Sequence, residues 1–315
     1  MDPLTQGALG AALSQSASTR GRVVTAGVLG FLAGMAADLD VLIRSDSDPL
    51  LFLEYHRQFT HSLIFVPIGA LLCALALHLP IASRRGFSFR QTLACCLLGY
   101  GTHALLDACT TYGTLLLWPF SQARIAWNTI SIIDPLFTVP LLAGVLASGI
   151  LRRPRLAACG FLWALCYLGA GWHQRNTAIE AGEHLAQSRG HQPERLEAKP
   201  SFGNIMLWKI VYETADRYYV DAVRVGPRPR VYTGDSVPRL EIARDFPWLD
   251  PDSQQSADIA RFRWFSNGYV ARDPADAYRV IDIRYSMVPN EIAPLWGIEL
   301  SPRAGPEAHV EYQVT

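Results

Sequence analysis

Residues 91–111, QTLACCLLGYGTHALLDACTT, form an apolar stretch that carries histidine and aspartate near its end. About 20 mostly apolar residues are enough to cross a bilayer as an α-helix. His103 and Asp107 are four residues apart, so a helix would place both side chains on one face. Ionisable groups in a span are costly to bury and indicate a functional site. For this pair alone, a simple buried hydrogen bond is the competing interpretation.

Further stretches have the length and composition of membrane spans. They lie near 23–43, 62–82, 130–151 and 155–172. Residues 4–19 form a shorter stretch rich in glycine and alanine, which would insert if it packed against its neighbours, because small residues let membrane helices approach closely. We therefore predict an α-helical integral membrane domain with five or six transmembrane helices.

The chain changes character near residue 175. Only eight of its 28 acidic residues precede position 176. Runs with alternating, aromatic or β-branched residues predict strands. These runs are 204–214, 217–225, 278–287, 295–300 and 308–314. With helices at 176–189 and 253–266, they predict a soluble α+β domain at 176–315 after a polytopic membrane domain at 1–175.

Charge and cysteine content exclude some classes of protein. The formal net charge is zero, which leaves no basic surface of the kind that binds nucleic acid. All six cysteines fall in the hydrophobic stretches and match no zinc-knuckle spacing. We therefore expect buried thiols, no disulfide framework in the second domain and no nucleic-acid partner.

Arginine positions predict the orientation in the membrane. If the spans alternate, one side receives a set of eight arginines: Arg20, Arg22, Arg84, Arg85, Arg90, Arg152, Arg153 and Arg155. The positive-inside rule assigns this side to the cytoplasm. The second domain then lies outside, and one set of polar residues collects at the outer ends of the spans: Asp38, Asp40, His56, His61, His103, Asp107 and Asp134.

The residue types in this set favour a metal site. Asp38 and Asp40 end an apolar helix, where two carboxylates repel each other and oppose the helix dipole unless a cation or protons neutralise them. Imidazoles suit Zn²⁺, while a carboxylate-rich site would also suit Mn²⁺, Fe²⁺ or Mg²⁺. We predict Asp38, Asp40, His61, His103 and Asp107 as ligands of one or two divalent ions, with Zn²⁺ preferred.

Three more residues are candidates for catalysis. His56 is a further ligand or a proton shuttle, and Arg57 would orient an anionic group by a bidentate contact. For Arg57 a solvated loop arginine is the alternative. Asp134 precedes Pro135, a pattern typical of a helix start, and that interpretation is slightly favoured over a role at the site.

Several motifs resemble those of the bacterial inner-membrane family described as membrane-bound metal-dependent hydrolases of the YdjM type. The similar segments are MDPLTQGALGAAL at the start, AGMAADLDVL, HRQFTHSL, GYGTHALLDACTTYGTLLLWPFS and IIDPLF, which together span about residues 1–140. The resemblance implies a metal-dependent hydrolase in the membrane with these Asp and His positions as ligands. The chain departs from the family pattern at Gln6, where members often carry His.

These observations lead to a functional prediction with two alternatives. We expect a hydrolase of the bacterial inner membrane that acts on a membrane lipid or lipid-linked phosphoester through a metal-activated water. A non-catalytic regulator or anchor with a structural metal site is one alternative. A transporter is the other, although transporters usually place their sites near the bilayer midplane, whereas these residues lie at span ends.

Overall fold

The computed structural model describes residues 1–314 and divides the chain into two compact units. The helical unit contains Met1–Val41, His56–His173 and Phe202–Asn204. The β-rich unit contains Leu42–Tyr55, Gln174–Ser201 and the chain from Ile205 onward. The division after His173 falls inside a helix, and segment 42–55 belongs to the β-rich unit, a placement that the sequence pattern did not indicate.

The helical unit is built from long apolar helices. In chain order the α-helices of both units are α1 (Pro3–Ser16), α2 (Val23–Met35), α3 (Leu51–Tyr55), α4 (Val66–Leu77), α5 (Phe89–Cys109), α6 (Pro135–Leu151), α7 (Pro154–Ser188), α8 (Ile242–Asp245) and α9 (Gln254–Phe265). Of these, α3, α8 and α9 belong to the β-rich unit. A 3-10 helix at Ala36–Leu42 extends α2, and another lies at Phe59–His61. Ser88 and Gln91 form a capping box that starts α5.

Within residues 1–314, four helical segments are long and apolar enough to cross a membrane. They are Val23–Leu42, Val66–Arg85, Phe89–Cys109 and Pro154–Ser188. Helix α6 is apolar but has 17 residues, and α1 has 14. The layout of apolar helices followed by a β-rich part is confirmed, while the number of five or six spans stays a prediction. Helix α7 joins the predicted helices 155–172 and 176–189 without a break.

Three glycines allow α1, α2 and α5 to cross at backbone contact. A Cβ atom on Gly10 would lie 2.4 Å from the carbonyl oxygen of Gly30 and 3.0 Å from Cα of Gly99. A Cβ on Gly99 would lie 2.4 Å from the same Gly30 oxygen. The predicted small-residue helix is accordingly buried, with Ala8, Ala12 and their neighbours enclosed. The crossing matters for function because α5 carries His103 and Asp107.

The Gly99→Ala variant should be markedly less stable than Gly101→Ala. The methyl group at position 99 collides with a backbone oxygen that cannot move away, and overpacking of this kind costs about 1–3 kcal/mol or more. At position 101 the nearest atom, Val66 Cγ1, is 3.6 Å away, an ordinary contact. Thermal unfolding in detergent measures both variants. Equal midpoints would contradict the close crossing.

The β-rich unit contains two antiparallel sheets. The first has the order β1 (Arg195–Pro200), β2 (Leu207–Glu213), β3 (Arg217–Arg224), β4 (Arg230–Tyr232), with β5 (Ser236–Pro238) also paired to β3. The second has the order β6 (Val270–Arg272), β7 (Arg279–Asp282), β8 (Trp296–Glu299), β9 (Glu311–Val314). Val211 and Val220 of the first sheet share a core with Ala271 and Ile281 of the second. The five predicted strands and the predicted helix near 253–266 are confirmed.

Candidate metal centre

Three separate segments bring four ligand-type side chains together in the helical unit. Asp38 comes from the 3-10 helix after α2, His61 from the one before α4, and His103 and Asp107 from consecutive turns of α5. Each offers one ligand atom, and these atoms all lie within 4.8 Å of one another. The side chains of His61, His103 and Asp107 are fully buried, whereas that of Asp38 is 18% exposed. The site therefore has one open side, at Asp38.

Distances between the four atoms match a compact coordination sphere. His61 Nε2 lies 2.9 Å from His103 Nε2. Asp38 Oδ1 lies 3.4 and 3.2 Å from the same two nitrogens, and Asp107 Oδ2 lies 3.2 and 3.8 Å from them. Bonds of about 2.0–2.1 Å put neighbouring ligands of a tetrahedral Zn²⁺ roughly 3.3 Å apart. The measured separations lie around that value.

Hydrogen bonds behind the two imidazoles leave their facing nitrogens as acceptors. His103 Nδ1 lies 2.6 Å from the carbonyl oxygen of Gly34, which only accepts, so Nδ1 carries the proton. His61 Nδ1 lies 2.9 Å from Thr60 Oγ1, whose own proton goes to Asp40 Oδ2, and 3.1 Å from that oxygen, so this Nδ1 also carries the proton. Metal-bound histidines usually have a carbonyl or carboxylate behind them in this manner. The two Nε2 atoms and the carboxylates around them therefore require a positive charge.

The acid–base behaviour of His61 reflects the same requirement. Burial opposes the charged ring, but the carboxylates of Asp107, Asp38 and Asp40 outweigh burial and raise the pKa of His61 to about 10. A proton on His61 or a metal ion would supply the charge that these acceptors need. The donor set of two nitrogens and two carboxylate oxygens, without cysteine, fits Zn²⁺ and also suits Fe²⁺ or Mn²⁺.

Asp40 lies behind His61 rather than among the four converging atoms. Its Oδ2 accepts hydrogen bonds from the Arg57 backbone N–H at 3.0 Å and from Thr60 Oγ1 at 2.6 Å. Its Oδ1 accepts from His56 Nδ1 at 2.7 Å. The ligand atoms of Asp38, Asp40 and His56 also form a second group within 4.8 Å. The contacts of Asp40 are those of a residue that orients His61 and His56, so its predicted role as a ligand stays a prediction.

The side chain of Arg57 is buried in the site and contacts Asp107. The residue is 5% exposed, and its Nε lies 3.1 Å from Asp107 Oδ2. Its Nη1 donates to Thr110 Oγ1 at 3.0 Å, and its guanidinium lies 5.3 Å from the centre of the Tyr112 ring. These contacts orient Asp107. They differ from the predicted bidentate contact with a substrate anion and from the alternative of a solvated loop arginine, because the side chain folds back into the helical unit.

Gln6, where the chain departs from the family pattern that often has His, lies at the site. Its Nε2 donates to Asp107 Oδ1 at 2.9 Å, an oxygen that the Met1 amino group also contacts. Its Oε1 is buried and has no hydrogen-bond partner among residues 1–314. An unsatisfied acceptor at this place agrees with a site that takes a cation.

Asp134 caps α6, as its sequence context predicted. Its Oδ1 accepts from the backbone N–H groups of Leu136 and Phe137 at 3.1 and 3.3 Å. Its Oδ2 accepts from the Tyr167 hydroxyl at 2.8 Å. Asp134 is in neither group of converging side chains. Oδ1 is occupied at the start of α6 and Oδ2 at Tyr167 of α7, so the predicted catalytic role of Asp134 gains no support from these contacts.

A known family model matches the part of the chain that contains the apolar helices and the cluster. The family model of the YdjM inner membrane protein matches residues 1–178, which include every side chain of the cluster. No curated protein and no solved structure matches the chain. The match covers more than half of the 315 residues. The chain belongs to the YdjM inner membrane protein family.

Proposed function

We propose that this protein is a membrane-embedded, metal-dependent hydrolase. The observation that carries the proposal is the pair of facing imidazole nitrogens, His61 Nε2 and His103 Nε2, 2.9 Å apart between two carboxylates. Family membership and the apolar helices support a place in the inner membrane. Asp38, His61, His103 and Asp107 would hold the metal, with Zn²⁺ preferred for its affinity for imidazole. When bound, such an ion supplies Lewis acidity toward a phosphoryl or carbonyl oxygen and acidifies water.

His56 is placed to accept a proton in this reaction. Its Nδ1 donates to Asp40 Oδ1 at 2.7 Å, which leaves Nε2 as the ring acceptor. The side chain is 32% exposed, so solvent reaches it, and its ring centre lies 6.0 Å from that of His61. A histidine oriented by a carboxylate is a common general base. Asp40 therefore serves both rings, and Arg57 holds Asp107 in place.

Apolar side chains near the site support a lipid or lipid-linked phosphoester as substrate. Leu63 and Ile64 come shortly after His61, separated from it by Ser62, and are about half exposed, as is Leu117. Phe120 is 83% exposed. The backbone N–H of Leu63 donates to the carbonyl of Leu116, which ties this loop to the His61 segment. An exposed apolar surface of this kind marks a contact with lipid or another apolar partner.

An extracytoplasmic location of the β-rich unit is part of the proposal. The positive-inside rule places the loop between the first two firm spans outside the cytoplasm. Residues 42–55 of this loop belong to the β-rich unit. Because this loop is part of the β-rich unit, its predicted outer location supports an outer location for the whole unit. It supports the same location for the ends of the spans that carry Asp38 and His61.

The test is hydrolysis of a phospholipid in vesicles by the purified, zinc-loaded protein. Hydrolysis should stop on chelation and return with Zn²⁺. His56→Gln should lower kcat by about 100-fold, as for loss of a general base, while keeping the bound metal. His78→Gln is the matched control, because His78 bonds Thr92 on α5 and is in neither ligand group. Hydrolysis that continues after the metal has been chelated would contradict the proposal. Ion flux without hydrolysis would favour a transporter.

A structural metal site in a non-catalytic regulator is the second candidate function. The observation that favours it is burial, since three of the four ligand side chains are fully enclosed. Structural sites are closed, whereas catalytic sites keep a position for water or substrate. Water exchange at the bound metal separates the two. A coordination sphere filled by protein alone would favour the regulator, and an exchangeable water ligand would favour the hydrolase.

A further inference from the structure

Segment 42–55 connects two parts of the chain that both contribute residues to the metal site. It begins two residues after Asp40 and ends at the residue before His56. Its two ends are joined, because Asp40 accepts hydrogen bonds from the His56 side chain at 2.7 Å and from the Arg57 backbone at 3.0 Å. We call these three residues the neck. The same Asp40 carboxylate lies 3.1 Å from His61 Nδ1, so the neck also orients a predicted ligand.

Arg261 on α9 binds this segment within the β-rich unit. Its guanidinium forms a bidentate pair with Asp48, with Nη1 and Nη2 at 3.0 and 2.8 Å from the two carboxylate oxygens. Its Nε donates to Glu54, two residues before the neck. Its Nη1 also contacts Asp258 of α9 at 2.9 Å. One side chain thus joins both halves of the segment to a helix of the β-rich unit.

Apolar contacts accompany this ion pair. Leu50 and Leu53 of the segment are almost fully buried. The ring of Phe52 packs edge-on against Tyr312 of β9, with centroids 5.1 Å apart. Geometry of this kind, bidentate and partly buried, is where an arginine–carboxylate pair contributes most. The segment is therefore an integral part of the β-rich unit, although both of its neighbours in the chain belong to the helical unit.

We propose that Arg261 is a positioning residue for the metal site, because it fixes the segment whose ends form the neck. The proposal rests on the proposed function, since the neck matters only if His61 holds a metal. Loss of the guanidinium removes its contacts with Asp48 and Glu54, and the chain beside the neck gains freedom. Asp40 then orients His61 less well, although no ligand has changed. Substitution of residues that hydrogen-bond to metal ligands, and so orient them, commonly lowers the affinity for the metal.

Amide hydrogen exchange and zinc release together test the proposal on the full chain in detergent. Arg261→Gln should speed exchange in two peptides, residues 50–53 of the segment and residues 56–62, which begin with His56 and Arg57 of the neck. Zinc release to a chelator should become about tenfold faster, at the lower end of the effect of residues behind a metal ligand. The control is Arg303→Gln, which removes the same charge from an exposed position outside α9.

Two further variants keep the proposal falsifiable. Asp48→Asn should have a similar but smaller effect, and the double variant Arg261→Gln/Asp48→Asn should release zinc no faster than Arg261→Gln alone, because both act through one ion pair. Unchanged exchange at 56–62 in Arg261→Gln would overturn the positioning role. So would unchanged zinc release, or equal effects in Arg303→Gln. A wild-type protein that binds no zinc would contradict the proposed function. The amide exchange rate of residues 56–62 in Arg261→Gln would still test whether Arg261 positions the neck.

Discussion

The His103→Ala variant should bind Zn²⁺ at least about 100-fold more weakly than the wild type, since loss of a ligand costs more than loss of a residue behind it. His103 Nε2 lies within 3.8 Å of each contacting atom of His61, Asp38 and Asp107. Without it, three ligand atoms remain and the buried carboxylates lose a partner. A competition titration against a chromophoric chelator in detergent measures the affinity.

His78→Ala is the matched control for this titration. It also removes a histidine of the helical unit, and it costs a hydrogen bond of 2.9 Å between His78 Nδ1 and Thr92 Oγ1. His78 is outside both groups of converging side chains, so the His78→Ala variant should bind zinc with the affinity of the wild type. Equal weakening in the two variants would show that the effect comes from disturbed helices and not from a lost ligand.

The Asp107→Asn variant should lose about 3–5 kcal/mol of stability even without metal, because breaking a buried ion pair leaves an uncompensated charge. Asp107 is fully buried, and its Oδ2 lies 3.1 Å from Arg57 Nε. The guanidinium of Arg57 would remain enclosed beside a neutral amide. Thermal or denaturant unfolding in detergent, in the presence of a chelator, measures the loss.

The double variant Asp107→Asn/Arg57→Met tests the cause of that loss. Removing both charges should recover the part of the lost stability that comes from Arg57, because the methionine needs no counter-charge. Asp2, which caps α1 through the Thr5 backbone, gives a control of the same chemical change. Asp2→Asn should cost less than 1 kcal/mol, since asparagine is nearly as good a cap. A double variant as unstable as Asp107→Asn would contradict the ion-pair explanation.

Much of the architecture follows from composition along the chain. Uninterrupted apolar length predicts α5 and the span that starts at Val23, because a helix that long and that apolar has few other environments. Alternation predicts β2 and β3. The stretches 155–172 and 176–189 were predicted as two helices, and the structure makes them one, α7, because polarity changes there while helix propensity does not. The short strands β4 and β5 are set by pairing with β3, which no local pattern shows.

The site was predictable in part. Spacing on α5 and convergence of span ends indicated that His103 would meet Asp38, and the structure brings them within 3.2 Å. The carbonyl of Gly34 behind His103 was not predictable, because every residue has a carbonyl and its direction depends on the helix crossing. Arg57 was expected to face an anion. Its left-handed backbone, with φ of 65°, and its pairing with Asp107 depend on tertiary contacts.

The most direct test of the account is X-ray absorption spectroscopy of the zinc-loaded wild type in detergent. We predict about one equivalent of Zn²⁺ per chain with nitrogen and oxygen ligands only, including two imidazoles, as His61, His103, Asp38 and Asp107 require. Sulfur should be absent from the spectrum, because the cysteines are not among these ligands. Folded protein that retains no stoichiometric metal, or zinc bound by thiolates, would contradict the metal site.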